Sequence, residues 1–302
     1  MRSATRSEPS IDQRRVVVIA RPDDPDADAF VEKFDGTDVD VELHRTESPD
    51  ELGEVVGRAV ESGVDAIAAV GGDGALNLVA EALAARESSI PVVSVRGGTV
   101  NLMAQVLGLD TIDLAVEAVL SGRTRVIDLG ETEQGVFVMN ASMGYDAAVI
   151  ADAADHSDAR FGRLRFMVEG MRRLVRDSPR HVTVGVDGAD LYAGQAMSVI
   201  VFNVGNRVSD GFAVAPEASL DDGLLDVAVV RVASLRRMIV TVGRLALGRE
   251  VPRDDVVRAQ GERIEVAWAR RVESQRDGDA DGDVTRLTAR VLPAALHIHH
   301  RA

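Results

Sequence analysis

The sequence contains no cysteine. That excludes a disulfide scaffold, a thiolate metal site and a cysteine nucleophile. It contains one lysine, Lys33, beside 33 arginines. No apolar run approaches the roughly 20 residues of a membrane-spanning helix. The first 13 residues, MRSATRSEPSIDQ, are polar and lack an apolar h-region, so 1–13 reads as a short disordered tail and not as a signal peptide. Positive charge is scarce: Lys and Arg total 34 against 49 Asp and Glu, a net charge of −15. Such a surface repels nucleic-acid phosphates, and no nucleic-acid partner is expected. The acids divide into 31 Asp and 18 Glu. An acid excess of this size fits a halophilic cytoplasmic protein, whose dense carboxylates hold hydration at high salt.

What is present is enough for a large core. The chain has 302 residues, 46% hydrophobic and 27% charged. A folded chain of this length hides roughly 75% of its unfolded surface, and the length suits two ordinary domains. RRVVVIA (Arg14 to Ala20), VDAIAAV (Val64 to Val70) and IPVVSV (Ile90 to Val95) are short continuous apolar runs, the pattern of buried parallel strands. DVDVELH (Asp38 to His44) alternates at period two and reads as another strand. Ser48 as N-cap and Pro49 at the first helical position open a helix that Gly63 ends. Helices are also expected over ALNLVAEALAA (Ala75 to Ala85) and VNLMAQVLG. Strand and helix alternating at this spacing give a doubly wound parallel α/β domain over 14–124. From Thr124 onward longer strands adjoin turns, so 125–293 reads as a mostly antiparallel β domain. One helical insert, RFGRLRFMVEGMRRLVR, interrupts it with apolar residues at helical spacing. Its Phe161, Leu164, Phe166 and Met167 suit core burial or a membrane-facing surface.

Two glycine-rich loops each follow a buried strand and open a helix. The first is Gly71-Gly72-Asp73-Gly74-Ala75-Leu76-Asn77. Its glycines let the backbone approach a ligand, and the helix start offers N–H groups to a phosphate. It is not a Walker A loop, because no Lys-Ser/Thr pair follows, and Asn77 stands where a dinucleotide fingerprint has its third glycine. Asp73 leaves two readings open: a ligand of Mg²⁺ or proton acceptor, or a plain helix N-cap. The second loop is Arg96-Gly97-Gly98-Thr99-Val100-Asn101, where Thr99 and Asn101 could meet a phosphate or cap their helix. Together the loops indicate a nucleotide-phosphate site at the carboxyl edge of a parallel sheet. In the β-rich part, the turn around Ser219, Asp221, Asp222 and Leu224 suits either a hard cation or simple turn closure. Asp277-Gly278-Asp279 and Asp281-Gly282-Asp283 read as hairpin turns. Trp268 reads as core. His297, His299 and His300 alternate near the end and read as a frayed terminal strand rather than a metal site.

The ordered set GGDGALN, GGTVN, NASMGYDA and NVGNRVSDGFAVAPEASLDDGLLDVAVV resembles the diacylglycerol kinase catalytic family, which includes bacterial lipid kinases and sphingosine kinases and is distantly related to NAD kinases. The resemblance runs from about Val16 to Leu296. It implies an N-terminal ATP-binding α/β domain, completed by the C-terminal segment 294–300, and a C-terminal β-sandwich. It implies γ-phosphoryl transfer from ATP to a lipid hydroxyl, of diacylglycerol or an ether lipid, with Mg²⁺. By the same resemblance Gly71 to Asn77 cradle ATP phosphates, and Thr46, Thr99 and Asn101 line the nucleotide. Asp222 with backbone oxygens of Ser219 and Leu224 matches a structural Mg²⁺ site. Asp277, in the position of the family's Asp-Gly-Glu turn, matches the proton acceptor, with Asp281 as the competing choice and Asp73 and Asp279 assisting. A lipid substrate further implies peripheral contact with a membrane from the cytoplasm, and a homodimer stays open. The chain departs from the family at Ala75 and Leu78, where Thr and Glu are usual, at Asp279 in place of Glu, and in the acidic loop after the first strand, where Arg21 is the one obvious phosphate partner. Two alternatives follow: a kinase of a soluble acceptor, closer to NAD kinase, and a nucleotide-binding regulatory homologue with weakened catalysis.

Overall fold

A computed structural model of the chain describes residues 13–97, 101–145, 147, 179–204, 219–231 and 255–301. Thr99, the helical insert over 160–176 and the 205–218 part of the long family block lie outside these residues. The chain forms two compact units, Met1–Arg125 with His297–Ala302, and Val126–Leu296. Among the described residues no helix is long and apolar enough to cross a membrane.

The first unit is a parallel sheet with helices. Strand β1 (Arg14–Ala20) pairs with β2 (Val39–Arg45) on one side and β3 (Ala66–Val70) on the other, and β3 pairs with β4 (Val92–Val95). All five residues of β3 and all four of β4 are buried, which is why these strands read as unbroken apolar runs. Helix α2 (Pro49–Ser62) begins where the Ser48 side chain accepts the Glu51 N–H, and it stops at Gly63 in the left-handed conformation, a common helix stop. Helix α3 (Asp73–Ala84) follows β3, and the short α4 (Leu102–Val106) follows β4.

Two helices were not evident from the sequence. Helix α1 (Pro25–Glu32) buries only Ala27 and Phe30 under an otherwise acidic surface, so its apolar stripe is thin. Helix α5 (Ile112–Ser121) lies between a Thr111 cap and Gly122. The chain runs from β1 to β2 and then crosses back over β1 to β3. Right-handed crossovers put α1 and α2 on opposite faces of such a sheet. In accord, α1 packs on α5, and α2 packs on α3. The strand order therefore reverses between β1 and β3, where the loops leaving the two strands part and open a crevice.

The second unit is antiparallel and sandwich-like. Strand β7 (Asn140–Gly144) pairs with β10 (Ser198–Phe202), β10 with β11 (Leu225–Val230), and β11 with β12 (Val256–Gly261). The long β13 (Arg263–Arg276) belongs to two neighbourhoods. Its first half pairs with β8 (Arg180–Val186), itself in a hairpin with β9 (Ala189–Ala196), and its last residues pair with β7. An irregularity between Ala267 and Val272 separates the halves, the bend by which a strand turns between layers. Phe137, Met143, Leu225, Ile264 and Trp268 are buried in one core. The hairpin β5 (Thr124–Thr132) and β6 (Gly135–Phe137) flanks it.

The chain end is not frayed. Strand β14 (Asp279–His299) carries Ile298 into parallel pairing with Val92 of β4. His299 is 3% exposed, with Nδ1 3.0 Å from the Arg123 carbonyl. Burial lowers its pKa from 6.5, against the opposing effect of the Arg123 and Ala118 carbonyls. Nε2 is buried without a hydrogen bond, and burial outweighs the two carbonyls, so the neutral ring is favoured. The residue is a neutral peg that seats the last strand.

Candidate active site

Three loops of the first unit meet at the crevice between β1 and β3. The loop after β3 is possible only for glycine. Gly71 has φ 132° and Gly72 has φ 82° with ψ −155°, the latter a region essentially closed to side chains. The loop after β4 lies directly against it. A Cβ on Gly97 would stand 2.9 Å from the Gly71 nitrogen and 3.1 Å from Asp24 Oδ2. Asp24 belongs to the loop after β1. Its Oδ1 accepts the Asp26 N–H and caps α1. The Arg45 guanidinium holds this loop, donating to the carbonyls of Arg21 and Pro22 and to both oxygens of Asp28. Thr46, the next residue, is buried, and its N–H donates to the Ala20 carbonyl at 2.9 Å.

Asp73 is the first residue of α3, yet it does not cap α3. Its Oδ2 accepts the Leu102 N–H at 2.8 Å and its Oδ1 the Met103 N–H at 2.9 Å. The carboxylate therefore caps α4 and ties the first glycine loop to the second. Of the roles its sequence position suggested, the cap of its own helix is the one this contact replaces. The consequence is electrostatic. Two N–H groups delocalise the Asp73 charge away from α3, while the first turn of α3 receives no side-chain cap. Those N–H groups are the orphan donors that bind anions at helix starts. Asn101 completes the second loop: it is buried, left-handed at φ 52°, and its Oδ1 accepts the Gly97 N–H at 3.2 Å. Asn77 is buried one turn into α3 with Oδ1 unpartnered. A glycine cradle, an open helix start and an orphaned amide oxygen suit a nucleotide's phosphates and polar groups.

In the second unit the turn between β13 and β14 is built around Asp277, which is left-handed at φ 48°. Its Oδ2 accepts the Val138 N–H at 2.6 Å, and its Oδ1 accepts those of Met139 and Asn140 at 2.8 and 2.9 Å. Three backbone donors fix this carboxylate in one orientation. Asp281 is held differently, in a bidentate pair with Arg276 at 2.8 and 3.0 Å, which neutralises it. Asp279 has its pKa raised above 3.8, first by partial burial and then by the Asp281 charge, with Arg276 opposing.

The Ser219–Leu224 turn is stapled from below by a residue the sequence reading did not single out. Asp128 is 4% exposed. Its Oδ2 accepts the Gly223 N–H at 2.7 Å and its Oδ1 the Ala294 N–H at 2.8 Å. Its backbone N–H donates to the Leu220 carbonyl, and its own carbonyl accepts from buried Asn203. The signal was a lone acid inside the apolar stretch VIDL. Above it, Asp222 Oδ1 accepts the Leu224 N–H at 3.1 Å, and Ser219 Oγ donates to Asp221. A carboxylate and turn carbonyls are the oxygen donors a hydrated Mg²⁺ takes. Among the described residues no three His, Asp or Glu side chains converge as a metal cluster.

Known proteins give these parts a family. Residues 23–132 match the diacylglycerol kinase catalytic domain, and residues 139–300 match the YegS C-terminal NAD kinase beta sandwich-like domain. The chain is 26% identical over 271 residues to a diacylglycerol kinase of Bacillus subtilis, covering 89% of this chain and 88% of that protein. It is 30% identical over 248 residues to a probable YegS-like lipid kinase of Pseudomonas aeruginosa, covering 81% and 80%. A crystal structure of a putative diacylglycerol kinase from Bacillus anthracis shares the fold, with a TM-score of 0.76, 18% identity, and coverage of 97% and 99%. An NAD kinase from Archaeoglobus fulgidus, solved in complex with ATP, follows at 0.52 and 16%, with coverage of 94% and 93%. The glycine loops after β3 and β4 and the antiparallel second unit with its Asp277 turn are thus parts of one architecture, and the chain belongs to the diacylglycerol kinase family of lipid-kinase-like proteins with a YegS-type C-terminal domain.

Proposed function

We propose that this chain is an ATP-dependent lipid kinase that moves the γ-phosphoryl group to a lipid hydroxyl, of the diacylglycerol or ether-lipid class, at a membrane surface. The observation that carries the reading is the open start of α3. Asp73 turns its charge onto α4, and the first-turn N–H groups of α3 are left to face phosphate between two glycine loops. The N–H groups of Asp73, Gly74 and Ala75 bind phosphate oxygens, with Asn77 and Asn101 supporting the loop walls. Phosphoryl transfer needs little covalent help from protein; it needs orientation and charge stabilisation, which backbone donors supply. A bound Mg²⁺ supplies further charge neutralisation at the phosphates.

Asp277 acts as the proton acceptor. The lipid oxygen forms its bond to the γ-phosphorus, the bond from that phosphorus to the bridging oxygen breaks, ADP leaves, and the hydroxyl proton passes to the Asp277 carboxylate. The three backbone donors that fix this side chain support the role, because a base must be held in place before its substrate arrives. Asp73 is a positioning residue. The Ser219–Leu224 turn with Asp222 holds a structural Mg²⁺ on its oxygen donors.

Incubating the protein with ATP, Mg²⁺ and a total lipid extract tests the proposal by mass spectrometry of the organic phase. The expected result is a lipid species heavier by one phosphate. New phosphate found only in water-soluble metabolites would replace the lipid acceptor with a soluble one.

A further inference from the structure

The acidic loop after β1 places a carboxylate where the phosphate cradle is tightest. Asp24 is 6% exposed. Oδ1 is occupied as the α1 cap, whereas Oδ2 has no hydrogen-bond or ion-pair partner among the described residues. Oδ2 stands 3.1 Å from where a Cβ on Gly97 would be and 3.9 Å from where one on Gly71 would be. It thus lies over both glycine loops. The Arg45 guanidinium that clamps this loop does not neutralise it: its hydrogen bonds go to Asp28 and to main-chain carbonyls, Asp24's own among them. The orientation is firmly set, by the cap on one side and the Arg45 clamp on the other.

We propose that Asp24 makes nucleotide binding at this cradle conditional on a divalent cation. The inference rests on the phosphate reading of the α3 start given above and adds to it the residue that selects the ligand's charge state. A buried carboxylate beside a polyphosphate opposes it, since two like charges in a poorly screened site repel strongly. A divalent cation between them reverses the sign. Mg²⁺ is commonly held by one or two carboxylates together with substrate phosphates, and Asp24 Oδ2 is a buried carboxylate oxygen that lies over both glycine loops without a protein partner among the described residues. The cradle therefore rejects bare ATP and accepts the magnesium complex.

Calorimetric titration of the whole chain with ATP, in EDTA and in MgCl₂, reads this directly, without turnover. Asp24→Asn is the main variant, because Asn caps a helix as well as Asp; Asp24→Ser, another good cap, is the second, with thermal melts confirming the fold of both. Wild type is expected to bind ATP at least about tenfold more tightly with Mg²⁺ than without, and both variants to lower that ratio by about tenfold, largely by gaining affinity for bare ATP. An unchanged ratio in both variants, with ATP still bound, overturns the role of Asp24 and leaves the phosphate site standing. Failure of wild type to bind ATP in either buffer overturns both.

Discussion

Replacing Asp73 by alanine is expected to loosen the two glycine loops together. The substitution removes both acceptors from the start of α4, at 2.8 Å from the Leu102 nitrogen and 2.9 Å from that of Met103. Hydrogen bonds to a charged group contribute roughly 1.5–3 kcal/mol each. Asp73 is only half-buried, so solvent screening puts the pair near the lower end, about 3 kcal/mol in all. That is a large share of the roughly 5–15 kcal/mol by which domains are stable. At roughly 3 °C per kcal/mol for a unit of this size, the melting temperature falls by about 9 °C. Asp73→Asn keeps one acceptor and is expected to lose about half as much. Circular dichroism melts of the three proteins, alone and with ATP, make the comparison. ATP should stabilise the alanine variant less than wild type, because the cap holds the second loop against the first. A melting temperature within about 1 °C of wild type, with the ATP shift intact, would refute the claim that this carboxylate joins the loops.

Asp277→Asn retains acceptors for some of the three N–H groups but turns an NH₂ toward another. It should lower stability by about 1–3 kcal/mol and phosphoryl transfer by roughly 10²–10⁴-fold, with ATP affinity unchanged; retained turnover would remove it from the chemistry. Asp128→Ala strands the Gly223 and Ala294 N–H groups and is expected to cost about 3 kcal/mol in urea unfolding, with the Ser219–Leu224 turn losing protection first in hydrogen exchange. His299 has its folded-state pKa lowered from 6.5. The unfolded chain then binds more protons below pH 6.5, so the stability this group supplies is complete above that pH and is lost as pH falls through the folded value. His299→Gln should flatten that part of a melting temperature against pH curve.

The parallel strands were legible because burial on both faces makes them continuous apolar runs, and α2 because Ser48, Pro49 and Gly63 mark its ends by local chemistry. Helix α1 was not, because its acidic sequence buries only two side chains and its apolar stripe is too thin to set a period. The glycine loops were legible for the same local reason: Gly71 and Gly72 adopt conformations that other residues avoid. What the carboxylates do was not. Asp73 meets its donors 29 and 30 residues away, Asp277 meets its own 137 to 139 residues away, and Asp128 reaches 95 and 166 residues. No short-range pattern encodes those distances. The same limit explains His299, whose partner Arg123 lies 176 residues off, so that an apparently loose terminal histidine is a buried one.

Amide hydrogen exchange across Gly71–Asn77, with and without ATP and Mg²⁺, reads whether the start of α3 binds phosphate. The first-turn N–H groups of α3 have no side-chain cap in the protein alone and should exchange quickly. Phosphate oxygens bound there should slow Asp73, Gly74 and Ala75 markedly, with smaller changes at Gly97. Protection that arises elsewhere in the chain while these three amides stay unchanged would contradict the assignment of α3 as the phosphate-binding helix, and with it the proposed site of phosphoryl transfer.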